Sequence, residues 1–133
     1  PCSMQSTKVK RLRRQFIQEM RMLSQLRHPC VVTVMGAVVA SRREPMLVME
    51  FMENGSLRDL LSNETVPLDE VAIAMLLDIA QGLRFLHNCV PAIVHCDVKA
   101  SNVLVDSRFR AKIADFGLSM TRRAMTRSKM PAG

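Results

Sequence analysis

Four polar residues, Asp97, Lys99, Asn102 and Asp115, carry most of the chemical information in this chain. They fall in two short runs, His95-Cys96-Asp97-Val98-Lys99-Ala100-Ser101-Asn102 and Asp115-Phe116-Gly117. A carboxylate, an ammonium, an amide and a second carboxylate, in that order, are the groups a phosphoryl-transfer site uses. Such a transfer asks little covalent chemistry of the protein and much positioning, metal binding and charge stabilisation. Asp-Phe-Gly alone is a common tripeptide. The joint pattern says more, because Val103-Leu104-Val105 follows Asn102 and Ala111-Lys112-Ile113-Ala114 precedes Asp115.

Those groups need elements to hold them. From Thr7 to Leu26, Val9, Leu12, Phe16, Met20 and Leu23 recur at steps of three or four, with Lys and Arg on the other face, which predicts a helix. Arg27-His28-Pro29 ends it, since the residue before proline is biased away from helix. The β-branched run Cys30 to Ala40 predicts a strand with a bend at Gly36. A polar turn at 41–45 leads to a second strand, Met46 to Glu50, so the two form a hairpin. Glu53-Asn54-Gly55 is a turn. Ser56 to Asp59 has the form of a capping box and opens a short helix through Leu61. Leu68 to Leu86 predicts a long helix with Asp69 and Glu70 in its first turn. Its apolar residues, among them Val71, Ile73, Met75, Leu76, Leu77, Ile79, Leu83 and Leu86, surround it, so it should be buried. Short strands are expected at Ile93–Val94, Val103–Val105 and Ala111–Ile113.

The two motifs resemble the catalytic loop and the magnesium-binding motif of eukaryotic protein kinases. The element order fits the same family over essentially the whole chain. The resemblance implies an α+β, protein-kinase-like fold that is partial. Residues 1–49 would be N-lobe from helix C onward, 50–54 the hinge, and 55–133 C-lobe with the catalytic loop and the start of the activation segment. It implies ATP and Mg²⁺ as cofactors and protein substrates as partners. Asp97 would orient the substrate hydroxyl and accept its proton. Asn102 and Asp115 would ligate Mg²⁺, a hard cation that takes oxygen donors. Lys99 would offer positive charge to the phosphoryl group, and a lysine there marks serine/threonine rather than tyrosine kinases.

Other positions follow by the same resemblance. Glu19 matches the helix C glutamate that pairs with an ATP-anchoring lysine; without that lysine it reads as an exposed helix glutamate. Glu50 to Met52 match the hinge that holds adenine, Met49 the gatekeeper, which should also be core, and Leu104 the residue beneath adenine. Val34, Leu23, Phe116 and His95 match the stacked contacts that join the lobes of active kinases, and His95 reads as a packed core histidine. Phe16-Ile17-Gln18-Glu19, Leu26-Arg27-His28-Pro29 and Gly55-Ser56-Leu57 look most like the tyrosine-kinase-like group, which includes the Raf and mixed-lineage kinases. Cys96 departs from the family pattern, replacing the arginine that normally pairs with a phosphorylated activation loop. Thr121, Thr126 and Ser128 are candidate phosphosites.

Composition narrows the alternatives. With 133 residues, 48% of them hydrophobic, the chain can build one modest core. It carries 19 basic against 12 acidic residues, a net +7, which raises nucleic acid as a partner. The cations cluster at Lys8, Lys10, Arg11, Arg13 and Arg14 and at Arg122, Arg123, Arg127 and Lys129 with no interleaved aromatics, which favours a solvated or phosphate-facing surface over specific nucleic-acid binding. Cys2, Cys30, Cys89 and Cys96 form no Cys-x-x-Cys pair and complete no zinc spacing with His28, His87 or His95, as expected of reduced thiols in a cytosolic or nuclear protein. The apolar run 31–40 is too short to span a bilayer.

The sequence therefore reads as the central part of a serine/threonine kinase domain. It contains no Gly-rich phosphate loop, anchoring lysine or Ala-Pro-Glu motif, so these 133 residues are expected to be inactive alone. A non-catalytic kinase-like scaffold, a tyrosine kinase and a basic nucleic-acid-binding fragment are the competing readings.

Overall fold

The computed structural model describes residues 2–40, 43–115 and 120–121, the last pair and residues 2–5 by their backbone alone. The chain divides into two compact units, Pro1–Arg27 with Thr33–Glu50, and His28–Val32 with Phe51–Gly133.

The first unit holds helix α1 (Cys2–Ser24) and the antiparallel hairpin of β1 (Val34–Val38) and β2 (Met46–Met49). The helix starts well before Thr7, because nothing ahead of the apolar stripe breaks it and residues such as Met4 and Gln5 favour helix. It stops at Ser24 rather than Leu26. There the amides of Gln25 and Leu26 reach back three residues to the carbonyls of Met22 and Leu23, and the Ser24 hydroxyl donates to Arg21 O at 2.9 Å. Such bonds tighten a last turn and end it.

The expected strand from Cys30 to Ala40 is divided between the units. Val34–Val38 pairs with Met46–Met49, and the register shifts between Val34 and Gly36, where the bend was expected. Cys30–Val32 instead runs beside the second unit's β5 (Ala111–Ile113). Ile113 N–H donates to Cys30 O and Val32 N–H to Ile113 O, both at 2.9 Å. One β-branched run thus serves two sheets. The second hairpin strand ends at Met49, one residue short of expectation.

The second unit opens with α2 (Leu57–Leu61), capped by Ser56. The Ser56 hydroxyl accepts from Asp59 N–H at 3.2 Å and donates to the Asp59 carboxylate at 2.9 Å, a variant of the capping box. Helix α3 (Leu68–Asn88) follows, then β3 (Ile93–Val94), a 3-10 turn at Ala100–Asn102, β4 (Val103–Val105), β5 and β6 (Met120–Thr121). β4 pairs with β5, and β3 with β6, both antiparallel. Leu60, Met75, Val103, Val105 and Ala111 form a buried cluster that Leu57, Val71 and Ile79 extend.

Helix α3 is not covered all round as its apolar circumference predicts. Met75, Asp78, Gly82 and Leu86 are buried, a single stripe at steps of three and four. Ile73 on the other side is 71% exposed and Leu76 64%. Composition says how much cover a helix could use, while the described residues supply cover for one face.

Gly82 marks the closest approach on that stripe. A Cβ there would lie 2.6 Å from Cys30 O and 2.8 Å from Ile113 Cδ1. Gly82→Ala should destabilise the chain by ~1–3 kcal/mol through overpacking. A lower urea midpoint with an unchanged denaturant slope is the expected result.

Candidate active site

The catalytic-loop residues are positioned by a hairpin and a tight turn. β4 turns Val103 and Val105 into the core and leaves Leu104 half-buried against Val32, Met52 and Ala114. Asp106 organises the turn to β5. Its Oδ1 accepts the amides of Arg108 and Arg110, both at 2.9 Å, and its own amide donates to Arg110 O at 3.0 Å. An aspartate that ties its own turn in this way fixes the register of the hairpin. Upstream, Asn102 N–H donates to Lys99 O at 2.9 Å and closes the 3-10 turn that leads into β4.

His95 is 1% exposed and bonds at both ring nitrogens. Nε2 lies 2.7 Å from Ala114 O, which can only accept, and Nδ1 accepts Asp97 N–H at 3.2 Å. The pair of contacts selects the Nε2–H tautomer. This is the packed, hydrogen-bonded histidine the sequence suggests. Asn102, also buried, donates through Nδ2 to Asp97 O at 2.9 Å and to Asp97 Oδ2 at 3.0 Å. Its carbonyl accepts Ala114 N–H at 2.9 Å. Lys99 Nζ stands 3.4 Å from Asp97 Oδ2. That pair is largely exposed and worth little to stability, so its value lies in placing charge beside the carboxylate.

The structure therefore joins Asp97, Lys99 and Asn102 directly. It joins Asp115 to them through Ala114, whose amide and carbonyl are both bound by loop residues. Asp115 itself is exposed with φ +56°, and Cys96 has φ +67°. Left-handed backbone is uncommon outside glycine, and such residues cluster at functional sites. Here one is the residue before Asp97 and the other is Asp115 itself, while a third, Phe109 at φ +58°, lies in the turn between β4 and β5. Phe116, Gly117, Thr126 and Ser128 lie outside the described residues, as does the side chain of Thr121.

The remaining sequence candidates divide between the units. Met52 is buried and packs with Leu104. In the first unit, Glu50 exchanges backbone and side-chain bonds with Thr33, through Glu50 N–H to Thr33 O at 3.0 Å and Thr33 N–H to Glu50 Oε1 at 2.8 Å. Met49 is 42% exposed and so is not core as expected, because this short strand is poorly covered: Met46, Val48 and Met49 are all exposed and only Leu47 is half-buried. Glu19 is half-buried rather than exposed, and that burial raises its carboxyl above the ordinary value of 4.5. Of the lobe-joining set, Leu23, Val34 and His95 are buried.

The sequence reading missed two contributors, Asp78 and Arg110. Asp78 is buried on α3, yet its carboxylate binds the Arg110 side chain and Ala111 N–H. The available signal was an acid set between Leu77 and Ile79 in an apolar helix.

The model of the protein tyrosine and serine/threonine kinase family matches residues 3–132. The chain belongs to that family. It is 42% identical over 106 residues to a probable serine/threonine-protein kinase, drkC, of Dictyostelium discoideum, with 79% of this chain covered. It is 44% identical over 123 residues, 90% of its length, to a probable serine/threonine-protein kinase, SIS8, of Arabidopsis thaliana. A probable LRR receptor-like serine/threonine-protein kinase of the same plant is 45% identical over 112 residues, 81% of this chain. The chain spans 14%, 12% and 12% of the lengths of these relatives.

Kinases of this family use ATP and Mg²⁺, and the donors present fit the metal. Because the Asn102 amide nitrogen is committed to Asp97, its Oδ1 is turned elsewhere, and Asp115 adds an exposed carboxylate. One amide and one carboxylate oxygen, completed by phosphates and water, suit Mg²⁺. Among the described residues no group of three His, Cys, Asp or Glu side chains forms a metal cluster, and no helix is long and apolar enough to cross a membrane.

Two outcomes follow from this geometry. His95→Phe keeps a ring but leaves Ala114 O and Asp97 N–H without it, at a cost of about 1–3 kcal/mol for each buried group left unpaired; equilibrium unfolding should show the loss. Glu19→Gln should stabilise the chain at neutral pH, where the native carboxylate is charged and desolvated. A raised carboxyl pKa favours folding as pH falls through it, so the advantage should vanish on acidification. Thermal unfolding at pH 7 and pH 4 reads both limbs.

Proposed function

We propose that the chain is the central part of a serine/threonine protein kinase domain of the tyrosine-kinase-like group. In this reading the γ-phosphoryl of ATP passes to a Ser or Thr hydroxyl of a protein substrate. The observation that carries it is the direct contact of Asp97 with Asn102 and Lys99, with Asp115 held next to Ala114. Among the described residues, both side chains that bind the Asp97 carboxylate use Oδ2. Oδ1 is then the oxygen available to orient the substrate hydroxyl and take its proton as the new O–P bond forms and the bond to ADP breaks. Lys99 would place positive charge beside the phosphoryl group. Mg²⁺, held by Asn102 and Asp115, would neutralise charge on the phosphate oxygens.

The apolar surface of Met52 and Leu104 would lie against adenine, with Glu50 and Met49 contributing at the hinge. Glu19 would pair with an anchoring lysine. No such lysine is among the sequence matches in this chain, so the 133 residues alone should transfer no phosphate in a coupled assay. The motifs Phe16–Glu19, Leu26–Pro29 and Gly55–Leu57 support the tyrosine-kinase-like group, and Lys99 supports Ser/Thr acceptors.

The test uses the native protein, purified from its source with an antibody to this segment, on Ser, Thr and Tyr acceptor peptides. Ser and Thr should be phosphorylated, and Asp97→Asn should lower the rate by about 10²–10⁴-fold. Transfer to Tyr alone, or transfer unchanged by Asp97→Asn, would contradict the reading. No transfer together with partner binding that survives Asp97→Asn would establish the scaffold instead.

A further inference from the structure

Asp78 sits deep on α3, 1% exposed, and among the described residues its hydrogen bonds go to Arg110, Ala111 and Cys30 rather than to the catalytic loop. Its carboxylate is nonetheless surrounded by donors. Oδ2 accepts Arg110 Nε–H at 2.9 Å and Ala111 N–H at 3.1 Å. Oδ1 accepts the second arm of the Arg110 fork, and the Cys30 thiol lies 3.8 Å from it. Burial, reinforced by Asp78, pushes the Cys30 thiol above its ordinary range, so the sulfur remains the donor there.

The Arg110 side chain is 57% exposed, so the desolvated member of the pair is Asp78, and a buried carboxylate is costly to keep for a surface cation alone. What the pair holds is more telling. Arg110 closes the turn from β4, and Ala111 is the first residue of β5. Three residues later comes Ala114, bound by His95 and Asn102, and then Asp115. The strand between them pairs along its length with β4, and on its other edge Ile113 N–H donates to Cys30 O and Ile113 O accepts Val32 N–H. Asp78 thus fixes the entrance of a three-residue strand whose exit carries the metal-binding carboxylate.

We propose that Asp78 and Arg110 are positioning residues for the metal site, setting the placement of Asp115 relative to Asn102 through β5. The inference rests on the reading of Asn102 and Asp115 as joint ligands. Asparagine at 78 cannot do the same job. With its oxygen toward Nε and Ala111, its NH₂ meets the other arm of Arg110, donor against donor. Lysine at 110 keeps the charge but loses the two-point fork.

The probe is Mn²⁺ with ATP, added to the ¹⁵N-labelled chain, with broadening of amide signals as readout and thermal unfolding as the control for folding. In the wild type, Val103 and Asp115 amides should broaden over the same Mn²⁺ range. In Asp78→Asn, both amides should need roughly ten- to a hundredfold more Mn²⁺ than in the wild type, the usual loss when a partner of a metal ligand is removed. Arg110→Lys should give a smaller shift and serves as the deciding variant if Asp78→Asn does not fold. Broadening at wild-type Mn²⁺ in a folded variant overturns the positioning role. Failure of Val103 and Asp115 to broaden together in the wild type overturns the joint-ligand reading itself, and this inference with it.

Discussion

Both amide hydrogens of Asn102 are committed to one residue, Asp97, through its backbone carbonyl and its carboxylate. An amide side chain has two donors and one oxygen, so this commitment decides where the oxygen goes. It also decides the chemistry open to Asp97, because Asn102 and Lys99 both occupy Oδ2. A buried asparagine bonded in this way cannot rotate without leaving polar groups unpaired, at a cost comparable to a lost hydrogen bond. The arrangement of the loop therefore depends on keeping Asn102 in place.

Asn102 is kept in place by backbone. Its amide closes the turn from Lys99 and its carbonyl takes Ala114 N–H, while Ala114 O goes to His95. His95 in turn accepts the amide of Asp97. These bonds form a closed circuit from Asp97 through His95, Ala114 and Asn102 back to Asp97, and its members are mostly shielded from water. In such surroundings fully satisfied polar networks rigidify and specify a single arrangement. Asp106 on the turn and Asp78 on α3 extend the same logic outward, Asp106 gathering the amides of Arg108 and Arg110 and Asp78 the Arg110 side chain and the amide of Ala111.

Much of this was legible in the sequence because it is local. The strands Ile93–Val94, Val103–Val105 and Ala111–Ile113, the Ser56 cap and the acidic first turn of α3 all lie where short-range pattern places them. His95 was readable as a core histidine from its place in the motif. What failed depends on distant residues. Cys30–Val32 reads as the start of one strand with Val34–Val38, and only pairing with Ile113 assigns it elsewhere. The partners of Asp78 lie at Arg110 and Ala111, beyond the reach of helical periodicity. Ile73, Leu76 and Leu77 look like core because hydropathy reports a preference for burial, not the presence of something to pack against. Met49 misled in the same way, and Glu19 in reverse.

The central claim is that the loop is organised by its own hydrogen bonds before any nucleotide arrives. The most direct measurement is hydrogen exchange, in the nucleotide-free chain, of the Ala114 and Asp97 backbone amides and the Asn102 side-chain amide. The account predicts that all three are protected and open together, as members of one circuit. Exchange of the Asn102 side chain at the rate of a free amide, with Ala114 still protected, would contradict it.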